Sequence, residues 1–334
     1  MTMKTILGPA AAAMLFAMPA AAQEITWDLA LLGSPAFRVA GETFAEYVNE
    51  NSDGKMEITV HNGTLSPSRE ILDNLSIGAF ELGYVISSYH PGKNPLMAVM
   101  DLPFLPIETM EERRDISEAL FADEAILNEF ARWNTVPVMA VIQPNYEVMG
   151  TGDAPAGLED YDGMRMKATS GIGDALSQFG VRLVSVSGPE QYNAMQTGVI
   201  DAVAATPSAF GGYKLFELAD WYTTGLEAGS AHVTLAANRD AYAALPDDMK
   251  ALFEEAKAHA YTATIAAQED AATSYEPDLE KHGLTRIDID PALSERLRLE
   301  AAQPVWDAFV VDTESKGMPG QHVLDLVIQH DAGS

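Results

Sequence analysis

The side chains that most often carry out chemistry occur here without the spacing that chemistry requires. The seven histidines are His61, His90, His232, His259, His282, His322 and His330. No two stand four residues apart, as two zinc ligands on one helix face would, and H-E-x-x-H is absent. There is no cysteine, which excludes thiolate nucleophiles, thiolate metal sites and disulfides. No G-x-S-x-G elbow presents a serine nucleophile, and there is no Walker lysine loop. Gly150-Thr151-Gly152 begins like a dinucleotide loop but runs into Asp153-Ala154-Pro155 and lacks the third glycine. The adjacent acids Glu111–Glu112, Asp247–Asp248 and Glu254–Glu255 could in principle serve a secreted hydrolase as acid and base. In a chain with 49 acidic residues they read as solvated helix faces. The sequence therefore points to a binding protein rather than an enzyme, with no catalytic residue, metal ligand or cofactor to assign.

Composition narrows the partners. With 334 residues, 47% hydrophobic and 21% charged, the chain is globular and long enough for two domains. Twenty basic against 49 acidic residues leave a net charge of −29. Such a surface repels phosphate backbones and anionic membranes, so no nucleic-acid partner is expected.

Lys4, the apolar stretch Ile6–Met18 and the small residues Pro19-Ala20-Ala21-Ala22 have the form of a secretory signal, residues 1–22, cut after Ala22. No later run reaches the roughly 18 apolar residues of a membrane span. The mature chain is expected to be soluble in the periplasm of a Gram-negative bacterium. Without disulfides, its core must be sufficient by itself.

Two similar units follow. Glu24–Leu31 is a predicted strand, Phe37–Val48 a helix and Met56–His61 a strand. Ser66-Pro67 starts a helix that Gly78 ends, before a buried strand at Phe80–Ile86. Later, Ser187 and Glu190 are spaced as a capping box, Gly198 ends the helix, and Ile200–Ala204 is again a strand. Gly78-Ala79-Phe80-Glu81 and Gly198-Val199-Ile200-Asp201 hold the same place in each unit. This pattern predicts an α/β protein of two lobes, each an open sheet flanked by helices. Ligands of such sheets sit beyond the carboxyl ends of the strands. The strands Val136–Ile142 and Met164–Ala168 run toward the same cleft. Residues 246–275 predict one long helix capped by Asp247 or Asp248. Leu293–Trp306 predicts another, stopped near Pro304. Trp221 and Tyr222 read as hinge packing.

Several spaced segments resemble the periplasmic solute-binding proteins of TRAP transporters, the DctP-like family. Tyr89-His90-Pro91-Gly92-Lys93-Asn94-Pro95-Leu96 and Asp101-Leu102-Pro103-Phe104 are similar to its first-lobe strand-to-helix segment. Leu158–Lys167 resembles its "DLKGLKIR" stretch, and Glu190–Asp201 its "EVYxALQxGVVDG" stretch. The resemblance covers nearly the whole mature chain in order. It implies a type II-like periplasmic binding fold with the ligand cleft between the lobes. Lobe I would comprise 23–146 and 236–276, and lobe II 147–235 and 277–334, with hinges near Tyr146 and Leu235. It also implies a receptor that delivers a small organic acid to membrane subunits; a monomer is the default expectation.

The family's strand ends in an arginine that clamps the ligand carboxylate, and that place is held here by Lys167. Arg165, two residues earlier, should face the same way. Lysine offers a mobile point charge where arginine offers a planar fork, which admits a sulfonate, phosphonate or hydroxylated ligand. Glu147 would balance Lys167 or face a cationic group, so a zwitterionic or amine-bearing compatible solute is the alternative. Phe37, Tyr89, Tyr146 and Phe210 are expected as aromatic walls. Thr169, Ser170 and Thr206 are expected as hydroxyl donors at strand ends.

Overall fold

The computed structural model describes residues 25–330 other than Pro91, and of Ser170 the backbone alone. The predicted signal segment lies outside the described residues. Eleven strands form two sheets: β1 Ile25–Leu31, β2 Met56–Asn62, β3 Leu82–Ile86, β4 Thr135–Ala140, β5 Glu147–Gly150, β6 Arg165–Lys167, β7 Arg182–Leu183, β8 Ala202–Ala205, β9 Trp221–Thr224, β10 Val233–Asn238 and β11 Thr285–Asp288. The first sheet has the order β2-β1-β3-β10-β4, the second β11-β9-β5-β8-β6-β7.

Each sheet contains one strand that runs against its neighbours, and each is reached by crossing from the other sheet. β10 is antiparallel to β3 and β4, and β5 is antiparallel to β8 and β9. The chain leaves the first sheet after β4 and enters the second at β5. It returns after β9 into β10. The crossing segments lie side by side: Val141 N–H donates to Val233 O at 2.8 Å and Tyr146 N–H to Gly229 O at 2.7 Å. Leu235 lies inside β10, opposite Tyr84 and Met139. The return crossing runs through residues 226–232, upstream of Leu235, which stands beside an irregularity in the pairing of β10 with β4.

The two units recur in three dimensions. The helices Ile71–Ser76 and Gln191–Gln196 both end at a glycine of positive φ, Gly78 at 72° and Gly198 at 67°, before β3 and β8. A left-handed residue ends a helix and turns the chain back toward the sheet, and glycine adopts that conformation without a Cβ clash. Ser187 and Glu190 form the expected capping box. The helix expected from Ser66 begins only at Ile71.

The long helix is Asp247–Ser274, preceded by Pro246, and neither Asp247 nor Asp248 caps it by a side-chain hydrogen bond. Asp248 pairs with Lys55 at 2.7 Å instead. Its ring Phe253 meets Phe44 and Trp27 edge-on, with centroids 4.9 and 5.5 Å apart. Pro304 does not stop the following helix. Pro291–Leu297 continues through a wide turn at Arg298–Ala302 into Gln303–Ser315. The widened register accommodates the residue that cannot donate an amide hydrogen. The helix Gly320–Gln329 packs against Met110–Phe121 and Met97–Asp101, on the side of the first sheet. Trp221 is fully buried within the second sheet, against Gly150 and edge-on to Tyr161, so it is core rather than hinge packing.

Phe253→Ala should destabilise the protein by about 3–5 kcal/mol, the cost of emptying an aromatic site in a packed core. Urea unfolding of the variant would show it as a lower midpoint.

Candidate functional site

The strand polarity brings five chain ends to one place. β1, β3 and β4 point their carboxyl ends at the second sheet, and β6 and β8 point theirs at the first. Between them lies a cavity of about 70 Å³, enough for roughly five to seven water-sized groups. Leu32, Ser34, Phe37, Ile86 and Tyr89 line it from the first sheet. Lys167, Thr169, Gln191, Ala205, Thr206 and Tyr213 line it from the second. Gln143, Tyr146, Ala231 and Val233 close the side where the crossing segments run. In a chain with 49 acidic residues, no carboxylate is among the described residues that line it.

Lys167 dominates the electrostatics. It ends β6, is only 8% exposed, and has neither a hydrogen bond nor an ion pair among the described residues. Its ammonium lies 6.0 Å from the centre of the Tyr146 ring. Removal from water lowers its pKa from 10.5 to about 8. The helix Pro35–Asn51 begins at the cavity with no acid in its first turn, so its positive dipole end faces the same space.

Arg165 faces elsewhere. It is paired to Asp201 through Nε at 2.9 Å and Nη2 at 2.5 Å, and it donates to Gly198 O at 2.5 Å. The partner across β8 holds it at the far end of the short strand.

Of the other expected residues, Phe37, Tyr89, Tyr146, Thr169 and Thr206 do line the cavity. Thr206 also caps the helix that follows it, accepting from Ala209 N–H at 3.2 Å. Burial raises the Tyr146 hydroxyl well above its ordinary range. Ser170 opens the helix after Thr169; its side chain lies outside the described residues. Glu147 is a correction. Its carboxylate accepts from Thr223 Oγ1 at 2.6 Å, Gly225 N–H at 2.8 Å and Leu226 N–H at 3.1 Å, away from the cavity. It ties the start of β5 to the end of β9. Phe210 is a second correction: it is fully buried in the second-sheet core with Met149, Val203 and Leu215, because its helix turns that face inward.

Sequence reasoning missed Ser34, Gln143, Gln191 and Tyr213. Gln143 is held by its Nε2, which donates to Ala231 O at 2.9 Å. Burial pushes the Tyr213 hydroxyl up to about 12. One signal was available for Gln191: it stands where the "EVYxALQ" pattern has valine.

The mouth of the cleft is bridged. Arg69, carried by the first sheet's layer, lies over the Tyr89 ring at 4.5 Å and donates to Ser185 Oγ of the second at 2.9 Å. Gly171, at the start of the helix Ser170–Ser177, sits so close to the Asp101 carbonyl oxygen that any Cβ would collide with it. The geometry is that of two lobes closed on a small chamber that holds one buried ammonium.

The family model for bacterial extracellular solute-binding protein family 7, DctP, matches residues 30–312. The chain belongs to that family. The TRAP receptor resemblance read from the sequence holds, as does the two-lobed fold. An outer membrane transporter protein, TsaT, of Comamonas testosteroni is 23% identical over 94% of this chain and 95% of its own. An ectoine/5-hydroxyectoine-binding periplasmic protein, UehA, of Ruegeria pomeroyi is 25% identical over 79% of this chain and 78% of its own. A marine metagenome TRAP solute-binding protein crystallised with pyroglutamate superposes with a TM-score of 0.79 at 24% identity. That alignment covers 91% of this chain and 99% of the other.

Several of the adjacent acids are engaged structurally. Glu112 closes a capping box with Thr109, Glu254 pairs with Lys257 at 2.7 Å and Glu255 accepts from Tyr47 at 3.2 Å. No group of three or more metal-ligating side chains occurs among the described residues.

The lowered lysine pKa makes a sign-definite prediction for the ligand-free protein. The unfolded chain binds the Lys167 proton more tightly than the folded one, so stability rises with pH between about 8 and 10.5. Below pH 8 the charged amine costs on the order of 3 kcal/mol. Lys167→Met should therefore raise the melting temperature at pH 7 and remove the rise attributable to this group, as thermal melts across pH would record.

Proposed function

We propose that the protein is the extracytoplasmic solute receptor of a TRAP-type secondary importer. It closes on one small organic acid and delivers it to the importer's membrane subunits. The observation that carries this reading is the buried, unpaired ammonium of Lys167 in a cavity lined by no carboxylate. A charge removed from water needs a counter-charge, and the ligand's acid group supplies it. Lys167 takes the place of the family arginine, as a single mobile donor head rather than a fork. The protein acts by binding, without turnover, as a monomer in the periplasm after cleavage behind Ala22. No helix among the described residues is long and apolar enough to cross a membrane.

The lobes are assigned as 23–146 with 236–276 and 147–235 with 277–334. The packing of β10 and of the helix Gly320–Gln329 supports moving both to the first lobe. Opening is a rotation about the paired crossings at 141–146 and 226–232, and a ligand that binds both lobes shifts the balance toward closure.

A zwitterionic solute is the second reading, favoured by the likeness to the ectoine-binding protein. An anion opposite Lys167 would favour it, and Glu147, the acid expected there, is already bonded to Thr223, Gly225 and Leu226. The acid reading is therefore preferred.

Thermal unfolding against a panel of carboxylates, sulfonates and zwitterions tests it. An acid at about 100 times its Kd should stabilise by about 2.7 kcal/mol, a rise of several degrees. Stabilisation by zwitterions alone would overturn the acid reading. Affinity for the acid should weaken as pH rises through about 8, since the free receptor then loses its proton. Lys167→Met should weaken binding by a factor of about 30 or more.

Arg69→Ala should raise Kd only a few-fold, through faster dissociation, because an exposed cation–π bridge at the mouth contributes about 0.5–1 kcal/mol. Stopped-flow release would show whether the change lies in the off-rate.

A further inference from the structure

The chain's return from the second sheet holds an unusual backbone. Gly225, Glu227 and Gly229 all have positive φ, at 78°, 52° and 84°. Glycine adopts this left-handed conformation freely, whereas the Cβ of any other L-residue crowds the following carbonyl. Two of the three places therefore hold the residue that fits, and Glu227 between them does not. Phe104, whose N–H donates to Ala228 O at 3.2 Å, is left-handed as well, at 53°. The other left-handed non-glycine residues among those described, Asp53, Asn134 and Lys214, lie in separate turns. Polar groups at the same crossing are also left short. Ser230 Oγ and Asp101 Oδ2 are buried with no hydrogen-bond partner among the described residues. The other Asp101 oxygen accepts from His232 N–H at 2.5 Å. An unpaired buried oxygen is costly, and the cost vanishes when water reaches it.

Strained backbone persists only where its surroundings impose it, and it gathers at parts that move. Here the surroundings are the hydrogen bonds from Phe104, Tyr146 and His232, all made in a molecule whose lobes are closed. We infer that the return crossing is a spring loaded by closure: shutting the lobes drives Glu227 and Phe104 into left-handed backbone and takes water from Ser230 and Asp101, and opening relieves both. The inference rests on the reading of a receptor that opens and closes about this crossing. It gives a role to Glu227, an exposed residue outside the Lys167 cavity. Glu227 touches no ligand there, yet it sets how far the ligand-free receptor leans toward opening. The closed state then persists only while ligand contacts outweigh the load.

Two variants separate backbone strain from side-chain charge. Glu227→Ala removes the carboxylate and keeps the strain; Glu227→Gly removes both. The chain has no cysteine, so Arg69→Cys and Ser185→Cys, placed at the bridged mouth, can be joined selectively by a short bismaleimide. In the ligand-free mature protein the rate of that cross-link follows the closed population. It should be faster with Glu227→Gly than with Glu227→Ala by a factor of about five or more. Ser230→Ala, which deletes the orphan hydroxyl, should act in the same direction over the native residue. Without the cysteines, calorimetric titration with whichever carboxylate raises the melting temperature most should show Kd lowered by the same factor in Glu227→Gly relative to Glu227→Ala. Equal cross-linking and equal Kd in those two variants, with only the melting temperature raised by glycine, would place the strain in both states and overturn the inference. Faster cross-linking in a protein that binds no carboxylate would sustain the inference and overturn the acid reading instead. Absence of the cross-link in every background would overturn closure about this crossing, and the inference with it.

Discussion

A lysine ammonium taken out of water without a counter-ion is the constraint around which this molecule is arranged. Lys167 is 8% exposed at the end of β6, and its charged state is held there against a desolvation cost that brings its pKa down to about 8. The protein carries 49 acids and places none of them on the cavity wall among the described residues. Asp201, which could have reached toward that strand, is held by Arg165 at its opposite end. The cavity therefore holds a positive charge with no acidic neighbour on its wall, in a protein that is otherwise strongly acidic. The opposing helix start at Pro35 adds to the same field.

The two sheets must meet for that charge to be enclosed, and the crossing segments make this possible. They are bonded to each other through Val141, Gln143 and Tyr146 on one side and Val233, Ala231 and Gly229 on the other. Buried polar groups lie at the base of this junction. Asp101 accepts from His232 N–H at 2.5 Å, with burial pushing its carboxyl up to about 7. Arg113, also buried, donates to Asn145 Oδ1 at 2.9 Å. Glu147 extends the same function into the second sheet by gripping the turn after β9. A carboxylate beside the cleft thus serves the frame rather than the ligand, because several backbone and hydroxyl donors converge on it. The result is a hydrogen-bonded junction beneath a mouth bridged by Arg69 and Tyr89.

Much of this was legible in the linear chain. Hydrophobic periodicity and turn residues located β1, β2, β3, β4, β6 and β8, because each rule involved acts within a few residues. The repeated helix-glycine-strand unit showed two lobes, since Gly78 and Gly198 perform the same local turn. Lys167 could be found by its place at a strand end, and so could Thr169, Tyr89 and Thr206. Less local features misled. Pro304 read as a stop, yet a widened turn absorbs it. Phe210 looked like a cavity wall, yet the rotation of a six-residue helix buries it in the core.

By itself, then, the sequence determined the two α/β units, the strand ends that meet at the cavity, and a lysine at one of them. The tertiary structure decided which side chains share the cavity. Glu147 left it because partners 76 to 79 residues away claim its oxygens. Gln191 entered it because its helix packs against the second sheet with that face toward Lys167's cavity. Local rules depend on neighbours in the chain and can be read there. Whether a polar group is satisfied depends on partners that only the fold brings near.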